Sequence, residues 1–83
     1  MINSHRSSSV KYLDLRGVPC PVNYIRCSLF LEELEPNDSF HVDIDRGEPE
    51  DNVLLGLKGA GHDVEVILVE NHWLRLKVIC VAS

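Results

Sequence analysis

The sequence predicts a two-layer α/β (α+β) sandwich, two helices on one face of a four-stranded mixed sheet, in the order strand, helix, strand, helix, strand, strand (βαβαββ). Three observations predict it. Apolar and polar residues alternate in KYLDL (Lys11 to Leu15) and again over Ser39 to Asp45, as in half-buried strands. Apolar residues recur every three or four positions over about Val22 to Glu35 and again over Val53 to Ala60, as on the buried stripe of a helix. Val64 to Val69 and Trp73 to Val81 are rich in β-branched residues and flank the short polar Glu70-Asn71-His72, the pattern of an antiparallel hairpin.

The first strand puts Leu13 and Leu15 on one face, with Tyr12 and Asp14 on the other. RGVPCP then punctuates the chain: Gly17 permits a sharp turn, Pro19 keeps the preceding residue extended, and Pro21 suits the first position of a helix. The helix stripe consists of Cys27, Phe30, Leu31 and Leu34, widened by Ile25 and Leu29, while Arg26, Glu32 and Glu33 face solvent and Pro36-Asn37-Asp38 ends the helix. In the second strand Phe40, Val42 and Ile44 oppose His41, Asp43 and Asp45. After the turn at Gly47-Glu48-Pro49, Glu48, Glu50 and Asp51 complement the positive end of a helix whose stripe is Val53, Leu54, Leu57 and Ala60, with Lys58 in its last turn and Gly61 as its cap. Right-handed crossovers place both helices on one face. The other face is left uncovered, and Trp73, Ile79 and Val81 are expected to point to it as a docking surface for a partner or a second copy.

At 83 residues the chain is expected to form a single domain over residues 10–83 behind a polar tail over residues 1–9, too small to enclose a deep substrate cavity. Eight Lys plus Arg against 13 Asp plus Glu give a net charge of -5, which counts against direct nucleic-acid binding, since that affinity comes from clustered cations on phosphates. No apolar run approaches the roughly 20 residues that cross a bilayer, and Met1 to Ser9 has no secretion-type hydrophobic stretch, so a cytoplasmic protein without a membrane role is expected. Composition says nothing about oligomeric state.

Three cysteines cannot all pair, and in a reducing compartment each is either a packed apolar residue or a reactive group. Cys27 and Cys80 fall on apolar periodicities and are expected in the core. Cys20 does not: it sits in a Pro-Cys-Pro turn at a helix start, where unpaired N–H groups and the helix dipole favour a thiolate. Spacing alone leaves two readings of Cys20 open, an activated nucleophile and a half-buried structural cysteine. Cys27 does not serve as a resolving thiol, because seven residues of helix separate the α-carbons by ~10 Å, beyond disulfide reach. His5, His41, His62 and His72 show no metal spacing with the cysteines, so no metal site is expected. His62 is expected near the C-terminal carbonyls of the second helix. Asp43, Asp45, Glu48, Glu50 and Asp51 are expected to form a solvated strand end and helix start.

The stretches LDLRGVPCPVN, YIRCSLFLEELEPND, VDIDRGEPEDNV and GAGHDVEV together resemble the TusA-type (SirA-like) sulfur-carrier proteins over Leu13 to Val66. That family has a Leu-Asp strand, a Gly-x-x-Cys-Pro-x-Pro turn entering a helix, an acidic end to the second strand and Gly-His before the third. The resemblance implies the same βαβαββ sandwich and a sulfur-carrier role, with Cys20 as the residue that accepts a sulfane sulfur as a persulfide and relays it. Asp14, Gly17, Pro21, Asn23 and Arg26 are implied as residues supporting the motif. It also implies a donor protein such as a cysteine desulfurase or rhodanese, an acceptor protein, and no cofactor. Two positions depart from the pattern: Asn23 stands where the second proline usually lies, and Ser28 replaces a basic residue, with Arg26 two positions earlier as its substitute. The alternative function is a non-catalytic protein-binding or regulatory module that uses the open sheet face or the acidic edge. Nucleic-acid binding would rest on a loose similarity of the layout to the C-terminal domain of a bacterial translation initiation factor, and the net charge opposes it.

Overall fold

The computed structural model describes residues 11–81; the tail expected over residues 1–9 lies outside them. The elements follow the expected order: β1 (Lys11–Asp14), α1 (Val22–Glu32), β2 (Ser39–Asp45), α2 (Glu48–Gly59), β3 (Asp63–Val69) and β4 (Trp73–Ile79). The sheet order is β1-β2-β4-β3. β1 lies parallel to β2, with Leu13 opposite Val42 and Asp14 opposite Asp43. The other pairings are antiparallel, Val42 opposite Leu76 and Asp43 opposite Arg75 between β2 and β4, and β3 with β4 as the expected hairpin, interrupted by an irregularity between Val66 and Leu68.

Alternation along the two central strands supplies the core. Phe40, Val42 and Ile44 of β2 and Leu74, Leu76 and Val78 of β4 are buried, together with Val53 and Leu57 of α2 and Cys27 and Leu31 of α1. Burying each of the larger side chains contributes roughly 1.5–3 kcal/mol. The Phe30 ring packs on that of Phe40 with centroids 4.7 Å apart. α2 ends as expected: Gly61 takes a φ of 93°, its N–H donates to the Lys58 carbonyl, and the His62 N–H donates to that of Leu57, closing the helix by a Schellman motif.

α1 differs from expectation in two ways. It stops at Glu32 rather than Glu35, because Glu33-Leu34-Glu35 leads into Pro36, which disfavours helical geometry before it; Leu34 still packs on the core from the turn. Its buried row is Asn23, Cys27 and Leu31, an i, i+4 series, whereas Ile25 and Leu29 are 50% and 56% exposed and do not widen the stripe. The strand ends also contract: β4 stops at Ile79, so Val81 lies beyond the sheet and is not part of the outer face.

The face away from the helices carries an ion pair flanked by aromatic side chains. Asp43, only 1% exposed, accepts two hydrogen bonds from Arg75 (Nε 2.7 Å, Nη2 3.0 Å) and one from the Tyr12 hydroxyl. The Arg75 guanidinium lies 5.5 Å from the Tyr12 ring centroid and 5.6 Å from that of Trp73, and Arg16 covers Trp73 at 4.8 Å. Cation–π contacts thus shield Trp73, and the ion pair is locked to the sheet.

Burial opposes ionisation of Asp43, but the hydrogen bonds from Arg75 and Tyr12 and the charge of Arg75 outweigh it, leaving the carboxyl below its ordinary value of 3.8. A carboxyl with a depressed folded pKa stabilises the fold above its unfolded value, about 3.9, and loses that contribution as pH falls through the folded value. Asp43→Asn is therefore expected to cost about 1–3 kcal/mol in urea unfolding at pH 7, the half-exposed Arg75 keeping it below the fully buried range. The gap to wild type is expected to close as the pH is lowered past that window. The two glycines of α2 give opposite signs. A Cβ at Gly56 would fall inside the Tyr24 ring, whereas one at Gly59 meets nothing. Gly59→Ala is expected to raise stability by about 0.5–1 kcal/mol through helix propensity, and Gly56→Ala to lower it despite the same gain; thermal melts of the two variants check both.

Candidate functional site

The turn from β1 to α1 is fastened to the end of β2 before it reaches Cys20. The Leu15 N–H donates to the Asp43 carbonyl at 2.8 Å, and the Gly17 N–H to Asp45 Oδ2 at 3.0 Å. Gly17 has a φ of 81°, which L side chains rarely adopt. Asp14 accepts hydrogen bonds from the backbone N–H, Nε and Nη2 of Arg16 in the same turn. Arg16 is the near partner that holds the Asp14 carboxyl below its ordinary value. Pro21 is the N-cap of α1 and not its first helical residue, which is Val22, and the Cys20-Pro21 bond is cis.

Cys20 is half-buried beside the N-terminus of α1, whose first turn carries no acidic side chain. The helix's positive end is left unneutralised there. Two side-chain amides donate to the sulfur: Asn23 Nδ2 at 3.6 Å and Asn52 Nδ2 at 3.1 Å. Asn23 is fully buried, its Oδ1 accepting the Tyr24 N–H at 2.6 Å. Three residues after Cys20, it directs a donor back at the sulfur. Asn52 comes from the second turn of α2, where Glu48, Glu50 and Asp51 precede it and Glu50 Oε1 accepts the Gly47 N–H at 3.2 Å. The helices are held at this spacing by the Tyr24 ring, which lies against Gly56 and whose hydroxyl approaches the Gly56 carbonyl at 3.4 Å.

The other candidates separate from the sulfur. Arg26 is exposed and forms no ion pair among the described residues. Cys27 is buried in the core, and burial pushes its thiol up to about 12. Cys80 lies just beyond β4, half-buried and packed on the core. The His62 ring accepts the Val81 N–H at Nδ1, 3.2 Å, instead of reaching the α2 carbonyls; only its backbone does that. Asp43 belongs to the outer ion pair and Asp45 to the turn, so the acidic group is divided between structural tasks. Among the described residues no three of His, Cys, Asp and Glu gather as metal ligands would, and no helix is long and apolar enough to cross a membrane.

Asn52 was not legible as a site residue, because a lone polar residue in an acidic helix start carries no periodicity of its own. The one available signal was topological: two parallel strands deliver both helix starts to one sheet edge. Asp45 and Tyr24 were missed for the same reason, their roles depending on contacts between distant segments.

A solved structure of a SirA-like protein from Desulfitobacterium hafniense shares the fold, with a TM-score of 0.74 over 88% of this chain and 100% of that one, at 23% identity. No curated protein matches the sequence. The family model described as sulfurtransferase TusA matches residues 11–79, from the first residue of β1 to the last of β4. The sandwich that brings the motif cysteine to the start of α1 is thus matched along its whole length, and the chain belongs to the sulfurtransferase TusA family.

Proposed function

We propose that the protein is a sulfur carrier whose working residue is Cys20. The Cys20 thiolate attacks the outer sulfur of a persulfide on a donor protein. A new S–S bond forms at Cys20, the donor's S–S bond breaks, and the donor leaves as a thiolate. Cys20 then holds the sulfane sulfur as a persulfide until an acceptor thiolate attacks the outer sulfur and Cys20 leaves as a thiolate in turn. Both steps are thiol exchanges that need no external oxidant or reductant. The sulfur is held covalently, so the relay calls for no cofactor. The donor is a protein that carries a persulfide, such as a cysteine desulfurase or rhodanese, and the exchange takes place in the cytoplasm.

The observation that carries this reading is the contrast among the three thiols. Cys20 alone stands at a helix start with two amide N–H groups donated to its sulfur, while Cys27 is buried and held protonated and Cys80 packs against the core. Asp14, Gly17, Pro21 and Asn23 support the turn that presents it. Arg26, exposed on α1 five positions beyond the N-cap, serves partner recognition in this reading. The outer sheet face, covered by its own arginine and aromatic side chains, gives no comparable support to a docking module.

Incubation with a cysteine desulfurase and cysteine, alkylation, and mapping of peptides by mass test the proposal. One added sulfur is expected on the Cys20 peptide, abolished by Cys20→Ser and retained in Cys80→Ser. An unmodified Cys20 under conditions that load an authentic carrier would overturn the relay.

A further inference from the structure

We infer that Asn52, on the second helix, is the residue that holds negative charge on the Cys20 sulfur, so that the reactivity of the thiol is set by a neutral amide delivered from α2. This deepens the sulfur-carrier reading and rests on it for its biological use. The geometry is direct: Asn52 Nδ2 lies 3.1 Å from Sγ, shorter than the 3.6 Å from Asn23 Nδ2. A donated N–H stabilises a sulfur anion more than a neutral thiol, since hydrogen bonds to a charged acceptor are about twice as strong as neutral ones.

The two amides differ in what they can do. Asn23 is fully buried on α1, with its Oδ1 engaged by the Tyr24 N–H, so it is fixed beneath the sulfur. Asn52 is exposed, on the solvent side of the same atom. When Cys20 takes up a sulfane sulfur the charge moves to the outer atom, about 2 Å beyond Sγ. Asn52 has the freedom to follow it, and Asn23 does not. Because the donor is neutral, it holds the anion without forming an ion pair that an incoming thiolate would have to break. Three acidic residues occupy the first turn of α2, so a carboxylate at position 52 would add to a like-charged group and repel the thiolate.

The test is the pH dependence of Cys20 alkylation by iodoacetamide in the full chain, followed by the mass of the Cys20 peptide, for wild type, Asn52→Ala and Asn52→Asp. Asn52→Ala is expected to slow alkylation at pH 7 about tenfold, the effect of losing one hydrogen bond to a charged acceptor. Asn52→Asp is expected to slow it further, and the rates at high pH to stay within about twofold of wild type in both. Thermal melts are expected to coincide with wild type, since the side chain is exposed. Superimposable profiles for the three proteins overturn the inference. Sulfur loading with unshifted profiles removes the role of Asn52 and leaves the relay; shifted profiles in a protein that takes up no sulfur remove the relay and leave Asn52 as the holder of the anion.

Discussion

The parallel pairing of β1 with β2 is the constraint on which the rest depends. Two strands that run the same way end at the same edge of the sheet, so the helices that follow them start side by side. Every feature of the candidate site descends from that arrangement. The turn leaving β1 can be tied to the end of β2, and a side chain in the second turn of α2 can touch a sulfur that precedes α1. An antiparallel pairing of the same two strands would send the helix starts to opposite ends of the sheet.

The two faces of the sheet solve different problems. Towards the helices, alternation along β2 and β4 gives an apolar core of ordinary kind. Away from them the described residues supply no third layer, and an exposed Trp73 would be a liability. The chain covers it with guanidinium groups instead, and anchors one of these to a buried carboxylate that is satisfied by three donated hydrogen bonds. Arg16 belongs both to this cover and to the turn before Cys20, so the outer face and the reactive loop share a residue.

The element order was legible in the sequence because each strand and helix has an apolar period that survives its surroundings. The width of α1's buried stripe was not. Asn23 lies on the innermost row with Cys27 and Leu31, and a polar residue there hides the row's direction, making Ile25 and Leu29 look like its continuation. The end of α1 was obscured because Leu34 keeps the apolar spacing although the chain has already turned. Cys20 could be singled out because prolines and a helix start mark it locally. Its partner Asn52 lies 32 residues away, and no local pattern announces it.

The contact between Tyr24 and Gly56 extends this coupling to the spacing of the helices. Asn52 and Gly56 are one turn apart on the same side of α2, and Tyr24 follows Asn23 on α1. The aromatic ring acts as a spacer of fixed thickness, and the missing side chain at Gly56 is the recess that receives it. The interval between sulfur and amide is therefore gauged by a packing contact that touches neither of them. Drift at residues 24 and 56 would retune the thiol while leaving every residue around it unchanged.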